Sequence, residues 1–339
     1  MSKTIRAYAA SAPGKALASI SYDMHDLSPN DVLIRVESCG ICHSDVSMLD
    51  NAWGMSAYPL VPGHEVIGTV VERGDQVAHL NVGQRVGLGW FAGSCMTCRT
   101  CMSGQHHLCG SSEQTIVGRH GGFADYVRCR AAWAVPLPAG VEADSAGPLF
   151  CGGITVFAPI ASYGIKPTDR VGVVGIGGLG HLALQFLNKW GCEVTAFTSS
   201  EAKRAEAMTL GAHHAVDSRD STGLAALAGS LDFILVTANV SLDWPAYISA
   251  LAPRGRLHFV GAVLEPIPVS VFSLLGGQRS LSASPLGSPA TLVTMLDFCA
   301  RHRIKPQAEY YPMSRVNDAL EHLRAGKPRY RIVLQADFA

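Results

Sequence analysis

The stretch "RVGVVGIGGLGHLALQFLNKWG" (170–191) decides how this chain is read. A β-branched run, "RVGVV", is followed at once by glycines at 175, 177 and 180, and then by "HLALQFLNKW", whose texture is helical. Glycines spaced Gly-x-Gly-x-x-Gly occur in many loops. Between a strand and a helix they predict a dinucleotide-binding turn. There they permit the tight bend and let a pyrophosphate approach the backbone at the helix N-terminus. Gly175, Gly177, Gly178, Leu179 and Gly180 are the residues expected at the cofactor phosphates.

The texture on either side agrees. "CEVTAFTSS", "EAKRAEAMTLGA", "LDFILVTA" and "GRLHFVGA" follow, so β-branched runs alternate with helical stretches from Arg170 to about Ala262. That alternation predicts βαβ units and a doubly wound parallel sheet of Rossmann type. The segment "GGQRSLSAS" (276–284) is a candidate edge strand.

The end of the second strand chooses the cofactor. NAD binders usually place Asp or Glu there for the ribose 2′-hydroxyl. Here the strand ends in Thr198, Ser199 and Ser200, and Lys203 and Arg204 follow. Small hydroxyls and cations suit a 2′-phosphate, so NADP(H) is expected. The plain alternative is a helix N-cap serine beside a solvated basic face. Glu201 dissents, but its position suits the first turn of a helix.

The first 150 residues read as short strands and turns: "DVLIRVES" (31–38), "VIGTVVE" (66–72) and "FADYVR" (123–128). After the insert, helices are expected near 288–302 and 314–324, with a strand "YRIVLQ" (330–335). A fifty-residue tail is too small to bury its own core, so it is expected to return to the first domain. The predicted organisation is α/β: a β-rich domain (1–152), a Rossmann cofactor domain (153–287) and a returning C-terminal segment (288–339).

The chain has 339 residues, 48% apolar and 16% charged, with 27 basic and 27 acidic side chains. Neutral balance gives no reason to expect nucleic acid or an acidic membrane as partner. The uncharged runs Ser145 to Ile165 and Val171 to Asn188 contain prolines, glycines and polar residues that suit strands and turns better than membrane spans. The first twenty residues lack the apolar core of a secretion signal. A cytoplasmic protein is expected, and its ten cysteines are expected to be reduced.

That expectation governs "GSCMTCRTCMSGQHHLC" (93–109). Cys95, Cys98, Cys101 and Cys109 have the spacing Cys-x2-Cys-x2-Cys-x7-Cys. Such a set can wrap four thiolates around one zinc, and a zinc so enclosed has no open position for substrate. Redox thiols are the bland alternative, and an iron–sulfur cluster is a minor rival. Catalysis must lie elsewhere. "CGICHSD" (39–45), "VPGHEVIG" (61–68) and "GPLFCGGITVF" (147–157) offer Cys42, His64 and Cys151 on loops. Each alone is more often structural, and spacing alone does not bring them together.

These segments, with "GGFADY" and "GIGGLG", resemble the zinc-dependent medium-chain alcohol dehydrogenases, in the same order and over nearly the whole chain. "NAWGMSAYPLVPGHE", "FTSSEAK" and "PRYRIVL" look most like the cinnamyl-alcohol-dehydrogenase branch and its bacterial aldehyde reductases. The resemblance implies a GroES-like catalytic domain and two zinc ions per chain, one structural and one catalytic. Cys42, His64 and Cys151 would hold the catalytic zinc, and Glu65 would approach it. Asp45 would orient His64, and Ser44 would relay the alcohol proton. His43 would lie near the cofactor phosphates and Thr155 near the nicotinamide. Many relatives carry a histidine three residues beyond the relay hydroxyl; here Ser47 stands there, which puts the proton exit in doubt.

The implied reaction is reversible hydride transfer between NADP(H) and a small-molecule alcohol or aldehyde. Its cleft should be largely apolar. Trp53, Tyr58, Trp90 and Phe91 are candidates to line it, and each suits the core equally. Relatives pair their edge strands across a two-fold axis, so a homodimer is expected, with a tetramer as the larger alternative. Two other readings stay open: a polyol or sugar dehydrogenase of the same fold, and a non-enzymatic zinc- and NADPH-binding relative. The first often lacks the four clustered cysteines and the second usually loses catalytic ligands; all are present here.

Overall fold

The computed structural model describes residues 3–24 and 26–338. Two units emerge from its contacts: Met1–Ile154 together with Gly287–Ala339, and Thr155–Leu286.

The second unit is built on a six-stranded sheet. From one edge its order is His214–Val216, Glu193–Phe197, Arg170–Val174, Leu231–Val236, Leu251–Phe259 and Ser280–Ala283. Every neighbouring pair is parallel. The chain moves outward from Arg170–Val174 in one direction and then restarts on the other side with Leu231–Val236. That reversal is the switch point of a doubly wound sheet, where ligands meet the strand ends. Val171, Val173 and Val174 are buried, as a two-sided parallel strand requires. The helix Gly180–Trp190 packs behind them and ends at Gly191, whose φ of 107° needs a residue without a Cβ. Beyond the switch point Phe197, Trp244, Tyr247 and Phe259 share one buried aromatic cluster. The candidate edge strand is found as Ser280–Ala283, the last strand of the sheet.

The spine of the first unit is the strand Asp31–Ile41, in a seven-stranded sheet. Val66–Arg73 pairs antiparallel along one side of it. Along the other side, Tyr126–Arg130 covers its first half and Arg331–Gln335 its second. The tail strand is thus hydrogen-bonded to a strand about 300 residues earlier, which places its side chains beside the loop that follows Ile41. The run 123–128 forms a strand only over Tyr126–Arg130. Ahead of it, the amides of Gly121 and Phe123 donate to the carbonyls of Val61 and Pro62, so that segment is committed to the "VPGHE" loop instead of the ladder. The expected C-terminal helices are Pro289–His302 and Val316–Arg324, the second preceded by a 3₁₀ turn at Met313–Arg315. Among the described residues no single helix is long and apolar enough to cross a membrane.

Candidate active site

Cys42 closes the strand Asp31–Ile41 and caps the helix His43–Leu49. His64 and Glu65 end the loop before the strand Val66–Arg73, and Cys151 follows the 3₁₀ turn Gly147–Phe150. Two glycines let these segments meet. The Gly40 amide donates to the Glu65 carbonyl at 2.9 Å, and a Cβ on Gly40 would strike the Glu65 side chain. A Cβ on Gly147 would lie 2.6 Å from the same carbonyl. Ligand atoms of Cys42, His64, Glu65 and Cys151 consequently all lie within 4.8 Å of one another.

The chemistry of this donor set fits a metal. Cys42 and Cys151 sulfurs are 3.8 Å apart. The hydrogen bond from Cys151 holds the Cys42 thiol well below its ordinary range, and the same bond pushes Cys151 up. His64 is fully buried, and its Nε2 has no hydrogen-bond partner among the described residues. Burial opposes a charge on that ring, but the carboxylate of Asp45 outweighs it and raises the His64 pKa well above its ordinary value. A cation on Nε2 would take the place of that proton and satisfy an otherwise orphaned atom. Two sulfurs and one imidazole nitrogen are a zinc donor set with room for a fourth ligand.

Asp45 organises all of this. Its Oδ2 accepts from the Cys42 amide at 2.9 Å, and its Oδ1 accepts from the Gly63 amide at 2.9 Å and faces His64 Nδ1 at 3.0 Å. Sequence reasoning missed Arg331. From the tail strand its guanidinium pairs with Glu65 inside the protein. Burial pushes the Glu65 carboxyl up against the pull of that cation. An arginine inside the apolar run "YRIVL" was the available signal, since a buried cation needs a partner. Ser44 is half-buried with its Oγ 3.7 Å from Cys42 Sγ, while His43 is exposed and Ser47 half-buried. Thr155 is buried in the helix Gly152–Ser162, whose residues from Thr155 onward belong to the second unit.

The four aromatic candidates separate. Trp90 packs edge-on against His64, ring centroids 5.0 Å apart, and Trp53 packs edge-on against Trp90. Phe91 instead points to Trp133, its neighbour at 5.4 Å. Trp90 stands in the bend just before the strand Phe91–Gly93, and the two neighbouring rings pack against different partners. The Tyr58 hydroxyl donates to the carbonyls of Met48 and Leu49 and so closes the end of the helix that begins at His43.

Cys95, Cys98, Cys101 and Cys109 also converge within 4.8 Å. The sulfur pairs Cys95–Cys101, Cys98–Cys109 and Cys95–Cys109 are 3.6 to 3.9 Å apart. Four bonds of about 2.3 Å to a tetrahedral zinc give edges of about 3.8 Å, so this set fits zinc without rearrangement. Backbone amides of Cys98, Cys101 and Ser111 donate to these sulfurs, as thiolates require.

In the dinucleotide turn each motif glycine answers a different need. Gly175 has φ of 91°. A Cβ on Gly180 would run into the Gly175 carbonyl oxygen, whereas one on Gly177 would meet nothing within 4 Å. The open face at Gly177 is where a pyrophosphate can approach. Gly178 and Leu179 form the turn that enters the helix. At the next strand end, Ser200 caps the helix Glu201–Thr209 and Thr198 is buried. Lys203 is exposed and forms no ion pair among the described residues. Arg204 pairs with Asp217 at 3.1 Å.

Residues 28–139 match the model of the alcohol dehydrogenase GroES-like domain, and residues 178–301 match that of the zinc-binding dehydrogenases. The chain is 56% identical over 330 residues to the aldehyde reductase AdhA of Synechocystis sp., covering 97% of this chain and 98% of that one. It is 36% identical over 327 residues to cinnamyl alcohol dehydrogenase 7 of Arabidopsis thaliana, covering 94% and 92%. Among solved structures, a cinnamyl alcohol dehydrogenase of Sorghum bicolor superposes with a TM-score of 0.94 at 35% identity, covering 98% of each chain. A cinnamyl alcohol dehydrogenase of Helicobacter pylori, solved with NADP(H), superposes with 0.90 at 28% identity, covering 99% of each. With this agreement of motif order, fold and ligand geometry, the chain belongs to the zinc-binding medium-chain alcohol dehydrogenases, in the cinnamyl-alcohol-dehydrogenase-like branch that includes bacterial aldehyde reductases.

Proposed function

We propose that this oxidoreductase transfers hydride reversibly between NADP(H) and primary alcohols or aldehydes, and that it holds two zinc ions per chain. The observation that carries the reading is the buried triad Cys42, His64 and Cys151, with one nitrogen of His64 left without a partner among the described residues. Zinc held there supplies Lewis acidity toward a substrate oxygen, and the nicotinamide supplies or accepts hydride. The chain's own residues set the conditions. Asp45 accepts the Nδ1 proton of His64, which fixes the tautomer and aims Nε2 inward. Ser44 would exchange the hydroxyl proton, and His43 stands exposed at the same helix start. Trp90 and Trp53 exclude water on one flank and offer apolar faces to a hydrophobic substrate. Cys95, Cys98, Cys101 and Cys109 would hold the second zinc and contribute folding energy.

NADP(H) is supported by a strand end with hydroxyls and no carboxylate, at Thr198, Ser199 and Ser200, with Lys203 one helical turn on. It is supported also by the related enzyme solved with NADP(H). Ten free thiols suit a reducing compartment such as the cytoplasm, and the open edge of the second unit's sheet suits a homodimer or larger assembly. One panel tests the reading: several alcohols and aldehydes, each with NADPH and NADH pairs. A charge-assisted phosphate contact contributes roughly 1.5–3 kcal/mol, so kcat/KM should favour NADPH by at least about tenfold. Ser199→Asp should invert that preference. Equal efficiency with both cofactors in the wild type sinks the NADP(H) assignment.

A further inference from the structure

We infer that Arg219 is a second cation that reads the 2′-phosphate of the cofactor, an inference that rests on the NADP(H) reading above. The strands Glu193–Phe197 and His214–Val216 are parallel neighbours, so the loops after them leave the sheet on the same side. Ser199 and Ser200 stand in the first loop and Arg219 in the second. The Arg219 side chain crosses back, and its Nη2 donates to the Ser199 carbonyl at 2.6 Å. Its own backbone N–H and its Nε face Asp217 Oδ1 at 3.0 and 3.5 Å. Asp217 is occupied on its other oxygen by Arg204 Nη1 at 3.1 Å. The carboxylate therefore anchors two arginines. Lys203, Arg204 and Arg219 bring three cations to the segments around Ser199; of the carboxylates in the same segments, Asp217 is engaged by both arginines, Asp220 caps the next helix, and Glu201 opens the helix that carries Lys203.

A loop staple alone would not need this arrangement. The second strand's end is where a dinucleotide presents its adenosine ribose. The Arg219 side chain remains 70% exposed, and its Nη1 makes no hydrogen bond among the described residues. A planar fork with donors to spare, pre-set by two contacts, suits a phosphate better than a mobile ammonium does. Lys203 supplies charge from the helix, and Arg219 supplies directed donors from the opposite loop.

The test compares wild type, Arg219→Ala and Arg219→Lys. KM is measured for NADPH and NADH, and binding of adenosine 2′-monophosphate and adenosine 5′-monophosphate is measured by calorimetry. Arg219→Ala should weaken NADPH and the 2′-monophosphate by about tenfold or more, and leave NADH and the 5′-monophosphate within about twofold. Arg219→Lys should recover part of the loss, and thermal unfolding of both variants should match wild type. Equal weakening of the 2′- and 5′-monophosphates would make Arg219 a general adenosine or loop contact and overturn the inference. A wild type that prefers NADPH, with the preference intact in Arg219→Ala, overturns it alone. A wild type without preference overturns the NADP(H) reading as well.

Discussion

The Nδ1 atom of His64 lies 3.0 Å from Oδ1 of Asp45, with both side chains fully buried. That one carboxylate also takes the amides of Cys42 and Gly63, so it ties the two loops that carry two of the three candidate ligands. Asp45→Asn keeps the shape but sets an NH₂ group against an N–H donor and removes the charge facing the imidazole. We expect zinc affinity to fall about 10–100-fold and activity to fall with it. Competition with a graded chelator series measures this; unchanged zinc retention would show that His64 does not need its partner.

The two cysteine sets should respond differently to single substitutions. Cys151→Ser should abolish turnover while the fold largely survives, because the proposed role of that site is to activate substrate. Cys98→Ser should lower thermal stability or solubility, because a closed four-thiolate site contributes folding energy. Metal analysis finding one zinc per chain in a fully active preparation would refute the two-site assignment.

A buried histidine makes the second unit sensitive to acid. His258 lies between Ser282 and Ser284, at 2.8 and 2.9 Å, and packs on Tyr163 and Phe233. Burial, reinforced by the nearby Arg256 cation, lowers its pKa to about 4. The folded state holds the ring neutral, while the unfolded chain protonates near pH 6.5. The stabilisation is therefore fully present above about pH 6.5 and is lost as pH falls toward 4, by roughly 2–3 kcal/mol in all. His258→Gln should be less stable at pH 7.5 yet lose less between pH 6.5 and 4.5. Parallel melting curves for both proteins over that range would count against this.

Assembly should follow from the open sheet edge. Ser280–Ala283 is paired on one side only among the described residues, and the preceding helix exposes Val271, Phe272 (84%) and Leu275. A free strand edge beside an apolar patch is a surface that two-fold pairing covers. Light scattering at micromolar concentration should give at least a dimer, and Phe272→Asp should shift it toward the monomer. A monomeric wild-type mass would defeat the expectation.

Local signals carried much of this protein. The β-branched run at 170–174 and the glycines after it specify strand, turn and helix through short-range sterics, and the parallel sheet follows from their alternation. Cys95, Cys98, Cys101 and Cys109 are close in sequence, so a single lobe gathers them. The absence of a carboxylate at Thr198, Ser199 and Ser200 was equally plain in the one-dimensional text.

What the tertiary structure decided involves residues far apart in the chain. Cys42, His64 and Cys151 meet because Gly40 and Gly147 let backbones approach Glu65, a contact with no periodicity to reveal it. Arg331 reaches Glu65 only because the tail strand pairs with Asp31–Ile41. Trp90 packs on His64 while its neighbour Phe91 packs on Trp133, a choice made by tertiary packing at the bend before the strand and not by composition. Arg219 meets Ser199 because two parallel strands end side by side. Sequence determines which groups exist and how each segment bends; which of them touch is decided by long-range packing, whose energy is shared among many contacts and written at no single position.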